Sequence, residues 1–218
     1  MVPRTLFASI VAASLVCGAA LAQSQRNIHF DLLAAARKGD TGAISALLAQ
    51  GASPNARNRL GDTALNIAAR NGQGELVHLL LEHGADVNQA NLARVTPLMS
   101  AAYGGHAGIV RELIAHRAEL TATDRVHKTA LVYAAGNGNA EVLSALLDAG
   151  ADPNQRDEEG ATPLMWAAGY GKADNVALLL SRGADINARD GRGMSALAVA
   201  VEQKQEAAAQ LLRRAGAQ

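Results

Sequence analysis

Residues 161–172 read ATPLMWAAGYGK, and this stretch decides the fold because most of it recurs at a fixed distance along the chain. Thr162 followed by Pro163 sets a hydroxyl N-cap before a proline at the first helical position, where the missing N–H costs nothing. A helix of about two turns is expected to follow and to end at Gly171, a residue that tolerates the left-handed conformation. The stretch also holds the only tryptophan of the chain and one of its three tyrosines, where aromatics make up 3% of residues.

The same features return every 33 residues. Thr63, Thr96, Thr129, Thr162 and Ser195 form one column, Leu32, Leu65, Leu98, Leu131, Leu164 and Leu197 a second, and Ala35, Ala68, Ala101, Ala134, Ala167 and Ala200 a third. Glycine fills two more, at 39, 72, 105, 138 and 171 and at 51, 84, 150, 183 and 216. Columns in phase over most of a 218-residue chain define a repeat architecture before any single element is assigned. Within one period the short first helix leads to a second, as in GELVHLLLEH at 74–83, which Gly84 closes. Phrases rich in Asp and Asn, such as ADVNQAN, then favour an extended turn. So small a unit cannot bury its apolar face alone, and the repeats are expected to stack. Composition agrees, since a chain 49% hydrophobic with two phenylalanines and abundant Ala, Leu and Gly suits closely packed helices better than a β-sandwich.

The pattern resembles the ankyrin repeat family, whose 33-residue length and T-P-L-H-x-A signature are matched by TPLMSA at 96–101 and TPLMWA at 162–167. EHGADVN at 82–88, AGADPN at 149–154 and RGADIN at 182–187 are similar to the family's helix-end phrases. The resemblance implies an all-α solenoid of about six stacked helix-turn-helix repeats with short hairpin-like turns. The repeats are expected at approximately 28–58, 59–91, 92–124, 125–157, 158–190 and 191–218, within a domain spanning 23–218. Asn66, Met99, Val132 and Met165 stand where the signature has histidine, a residue that bridges repeats in the family, so weaker inter-repeat hydrogen bonding is expected. Arg117 replaces the glycine after the third repeat's second helix, and that helix is expected to end differently. The first and last repeats carry polar residues suited to facing water.

Residues 1–22 differ from the rest. Arg4, the uncharged run LFASIVAASLVCGAALA and the small-x-small site Ala20-Leu21-Ala22 form a secretory signal pattern, with cleavage expected after Ala22. A retained membrane anchor and lipidation at Cys17 are the alternatives, the first against a run short for a spanning helix and the second against a poor sequence context. Cleavage removes Cys17, the only cysteine, which suits an oxidising compartment. It also takes the basic count from 20 to 19 against 20 acids, a net charge of −1 that argues against nucleic acid as a partner. No membrane insertion after cleavage is expected, and neither is self-association: the mature chain is expected to be a monomer.

Catalytic chemistry finds no constellation. Gly169, Gly171 and Lys172 look superficially like a phosphate loop, but Ala173 stands where magnesium needs Ser or Thr. His83 and His116 share one register position and are the nearest approach to a metal pair, although a histidine at a helix C-terminus is explained by the dipole alone. Glu158 and Glu159 are adjacent at a turn tip, where solvated charges are ordinary. No enzyme activity, cofactor or metal is expected.

In the family, partners bind a concave surface made by the turn tips and first helices. The positions four, seven and eight residues after the Thr column vary freely there. Here they carry Arg70 and Asn71 in repeat two, Tyr103 in repeat three, Tyr133 and Asn137 in repeat four, and Trp166 and Tyr170 in repeat five. All three tyrosines and the tryptophan fall in this set, and these residue types dominate binding hot spots. Arg57, Arg59, Asp62, Arg125, Lys128, Glu158, Glu159 and Arg192 are expected at the rim, basic around an acidic fourth junction. The expectation is an exported adaptor gripping another protein, in the periplasm or secreted. Resemblance to exported bacterial members of the family implies assistance to an exported enzyme such as a catalase. Neutralising an exported toxin, as an immunity protein would, is the alternative, and an enzyme or metal-binding protein the third class.

Overall fold

The computed structural model of the chain describes residues 27–218; the candidate signal peptide at 1–22, with Cys17, lies outside them. At each member of the hydroxyl column the side-chain oxygen accepts from the backbone N–H three residues on, at Asn66, Met99, Val132, Met165 and Ala198. These caps start the first helices, and Pro97 and Pro163 open two of them. The elements are α1 (27–38), α2 (Thr41–Ala49), α3 (Ala64–Asn71), α4 (Gly74–Glu82), α5 (Pro97–Gly104) and α6 (Ala107–Ala115). They continue as α7 (Ala130–Asn137), α8 (Ala140–Asp148), α9 (Pro163–Gly169), α10 (Ala173–Ser181), α11 (Ala196–Glu202) and α12 (Glu206–Arg214). Among the described residues there is no strand. The chain is thus a helical solenoid of paired helices.

The odd-numbered helices stack on one another more extensively than the even-numbered ones do. Alanine explains the difference: Ala68, Ala101, Ala134, Ala167 and Ala200 are completely buried and let successive backbones approach closely. The bulkier second-helix columns, Val77, Val110, Leu143 and Val176 with Leu80, Leu113, Leu146 and Leu179, hold their layer further apart. Unequal spacing curves the stack, and the first helices line its concave side.

Between repeats the chain makes a hairpin whose first residue is Asn58, Asn91, Asp124, Asp157 or Asp190. Each donates its N–H to the carbonyl four residues on, at 3.0–3.1 Å. The side-chain oxygen of the same residue accepts the N–H groups two and four residues ahead. One oxygen therefore builds each tip. The other side-chain atom is spare, and the site depends on it.

Two expectations need correction. Arg117 does not change how its helix ends: it takes the left-handed conformation (φ 64°) and donates to Ile114 O at 2.9 Å, as Gly84 donates to Leu81 O at 3.0 Å. Arg94, His127 and Lys204 also have positive φ, the first two at a tip position held by Gly61, Gly160 and Gly193 elsewhere. Hydrogen bonding between repeats is also richer than the missing histidines imply. Asn66 closes its own capping box at 3.0 Å, and an amide ladder joins the repeats: Asn55, Asn88, Asn154 and Asn187 each accept the N–H of Asp86, Glu119, Asp185 and Gln218. Thr121 occupies the remaining rung and bonds only within its own repeat, to Glu119. Met99 and Met165 offer sulfur at 3.5 Å as weak substitutes.

Candidate protein-binding face

The position four residues into each first helix faces the back of its own hairpin. There Tyr133 Oη donates to the spare oxygen of Asp124 at 2.6 Å, and Trp166 Nε1 donates to the spare oxygen of Asp157 at 2.8 Å. Burial first, then the hydrogen bond and charge of Asp124, push the Tyr133 hydroxyl well above the usual phenol range. Trp166, grouped by register with the partner-binding positions, is half-buried and anchored to its turn, because Asp157 needs only one oxygen for the hairpin. Ile67 and Ser100, at the same register, are buried.

The anchored rings hold exposed ones. Tyr103 lies edge-on to Tyr133, centroids 5.9 Å apart at 90°, and Tyr170 stacks on Trp166 at 5.9 Å and 18°. Tyr103 and Tyr170 are each 59% exposed. Lys128 sets its ammonium 3.9 Å over the tryptophan face, a cation–π contact. Asn137 donates its amide to the Tyr103 carbonyl. Together with Lys172 these residues line a hollow of about 370 Å³. Gly136 forms its floor, where repeats two and three carry Arg70 and Tyr103; a Cβ there would stand 3.4 Å from the Tyr170 ring.

Two further hollows flank it. One of about 310 Å³ lies beyond Trp166 and includes Glu159, Asp190 and Arg192; the other, about 230 Å³, lies beyond Tyr103 and includes Arg70 and Ser100. Arg70 is paired with the buried Asp62 at 3.2 Å. Asn71, Arg125 and Glu158 are exposed but line none of these hollows. Parts of the expected rim are structural. Arg57 donates to Gly61 O at 3.1 Å and to Ala90 O, and Arg192 is held by Asp190 at 3.0 Å. Burial pushes the Asp62 carboxyl up, but hydrogen bonds from Asn91 and Asn58 and the Arg70 guanidinium outweigh it, leaving the group below the ordinary carboxylate range.

Lys172, weighed in the sequence only for a phosphate loop, lines the central hollow, and Ser100, a position of the same register set, lines the adjoining one; the exposed tip residues Leu60, Leu92 and Val126 were not singled out in the sequence. Leucine or valine at a hairpin tip, a position meant for water, was the available signal. The histidines do not converge. His83 and His116 each donate to a carbonyl of their own helix, at 2.8 and 3.0 Å, and His106 donates to Arg70 O at 3.1 Å. Among the described residues no three His, Cys, Asp or Glu side chains are placed to hold a metal, and no helix is long and apolar enough to cross a membrane.

Stacked helix pairs presenting an open, aromatic inner face define a helical-repeat scaffold. The family model for ankyrin repeats (3 copies) matches residues 11–91, 32–124, 89–157, 107–190 and 131–218, and the chain belongs to the ankyrin repeat family. No curated relative matches the sequence. Ankyrin repeats mediate binding to other proteins and are typically non-enzymatic.

Proposed function

We propose that this protein is an exported, non-enzymatic adaptor that works as a monomer in the periplasm and grips a protein partner on its concave face. The observation that carries the reading is the arrangement of the aromatics: two rings anchored by buried aspartates hold two exposed rings around one open hollow. Rings held rigid before binding lose little entropy on contact, which is what a hot spot requires. Export is supported by the signal-like run at 1–22 and by the lack of any cysteine after it. A periplasmic adaptor suits assistance to an exported enzyme such as a catalase.

The test is a pull-down from periplasmic extract with the mature chain and with a Trp166→Ala, Tyr133→Ala double variant. The native face should retain partners that the variant loses at least tenfold. Equal recovery of the same partners by both refutes the role of this face, and an N-terminus of the exported protein other than Gln23 refutes the cleavage site.

A further inference from the structure

We infer that the central hollow receives an acidic, extended segment of the partner, with a carboxylate between Lys128 and Lys172 and an apolar neighbour against the Tyr103 and Tyr170 rings. The inference rests on the concave-face reading above and adds the chemistry of the partner.

The lining of this hollow includes two lysines and no carboxylate, and among the described residues neither lysine makes an ion pair. The flanking hollow beyond Trp166 is different: Glu159 and Asp190 line it, and its one cation, Arg192, is already paired with Asp190 and lies 3.9 Å from Glu202. Positive charge is therefore concentrated where the aromatic surface is largest. The balancing carboxylates of Asp124 and Asp157 sit behind the rings, buried, with both oxygens of each accepting hydrogen bonds.

Tyr133 and Trp166 spend their polar atoms inward on those aspartates, and Asn137 donates to the Tyr103 carbonyl. The hollow is thus lined by ring surface, by the exposed Tyr103 and Tyr170 with their hydroxyls, and by two lysines. An apolar group suits the rings, and a carboxylate gives the lysines charge-assisted hydrogen bonds, at Lys128 alongside its cation–π contact.

The row of hollows points to a segment rather than a lone anion: the central one shares Trp166 and Tyr170 with one neighbour and Tyr103 and Tyr133 with the other, so a chain running along the face passes through all three.

Trp166, the only tryptophan, lines the hollow and reports directly on its occupancy. The mature protein is titrated with a blocked peptide of glutamates interspersed with leucines, and with the same peptide bearing Lys or Gln in place of Glu. The Glu peptide should change Trp166 emission saturably, weakening at least tenfold from low salt to about 0.5 M salt, where screening is nearly complete. Lys128→Gln and Lys172→Gln should each weaken it several-fold. Gly136→Met, which fills the floor without altering charge at a helical position that tolerates a side chain, should abolish it with the circular dichroism unchanged. An equal response to the Lys or Gln peptide, indifference to both lysine variants, or no response to the Glu peptide up to about 1 mM overturns the inference. Free glutamate or phosphate competing as well as the peptide also overturns it, by making the site one for small anions. Partner capture that needs Trp166 and Tyr133 but neither lysine would leave the proposed function standing and remove this inference alone.

Discussion

Asp157→Asn separates the two jobs of the fourth hairpin. An asparagine can keep its oxygen on the N–H groups of Glu159 and Ala161, now 3.0 and 2.9 Å from the carboxylate, as Asn58 and Asn91 do in the first two hairpins. The turn should survive. The amide nitrogen then meets Trp166 Nε1, which lies 2.8 Å from the present oxygen, so that two donors face each other. A hydrogen bond to a charged group is worth about 1.5–3 kcal/mol, and the half-buried tryptophan recovers part of that from water, leaving a cost of about 1–2 kcal/mol. In a Trp166→Phe background no donor remains, and the same change should cost less than about 0.5 kcal/mol. Urea unfolding of the four proteins, followed by far-ultraviolet circular dichroism, closes the cycle. A coupling within about 0.3 kcal/mol of zero would refute the claim that the spare carboxylate oxygen anchors the ring.

Arg117→Gly should stabilise the fold by about 1 kcal/mol in the same assay, since a left-handed residue with a Cβ is replaced at an unchanged hydrogen-bond pattern. Thr121→Asn should add about 1 kcal/mol by supplying the missing rung of the amide ladder, whose other rungs are 2.7–3.2 Å long; a variant no more stable than the parent sinks that account. Asp62 and Asp190 both titrate below the ordinary carboxylate range, Asp190 because backbone N–H groups and Arg192 outweigh its burial. Their contribution is complete above the unfolded value of about 3.9 and is lost as pH falls through the lower folded values. The urea midpoint should therefore hold from neutral pH to about pH 5 and drop below pH 4. Asp62→Asn, compared with its own value at neutral pH, should show a shallower drop.

The repeat, its helices and their caps were legible in the sequence because each is a local property. Thr162 caps its own third residue, Pro163 fits only a first turn, and alanine at every third-column position can serve only a close stack. The candidate face was legible as a set of register positions, which is how Tyr103, Tyr133, Trp166 and Tyr170 could be grouped before their rings were seen. Which of them face solvent was not. A register position says where a Cα lies, whereas the direction of a ring depends on what it can bond to, and Asp157 is nine residues away across a turn.

The same limit explains the remaining surprises. Asn175 sits in a column of buried aliphatics and donates to Ala134 O and Ala135 O of the preceding repeat at 3.1 and 3.0 Å, a contact that spans about forty residues. Arg117 takes the left-handed conformation because its N–H closes the helix on Ile114 O while the next residue, Ala118, is buried and donates to Leu113 O. By itself, then, the sequence determined the period, the helices and the class of surface, since these follow from spacing and intrinsic conformational preference. Only the tertiary structure decided that two aspartates hold two rings in place, that Gly136 leaves a hollow between them, and that Lys128 and Lys172 both line it. Those outcomes depend on distances between repeats, which stacking sets and no single repeat contains.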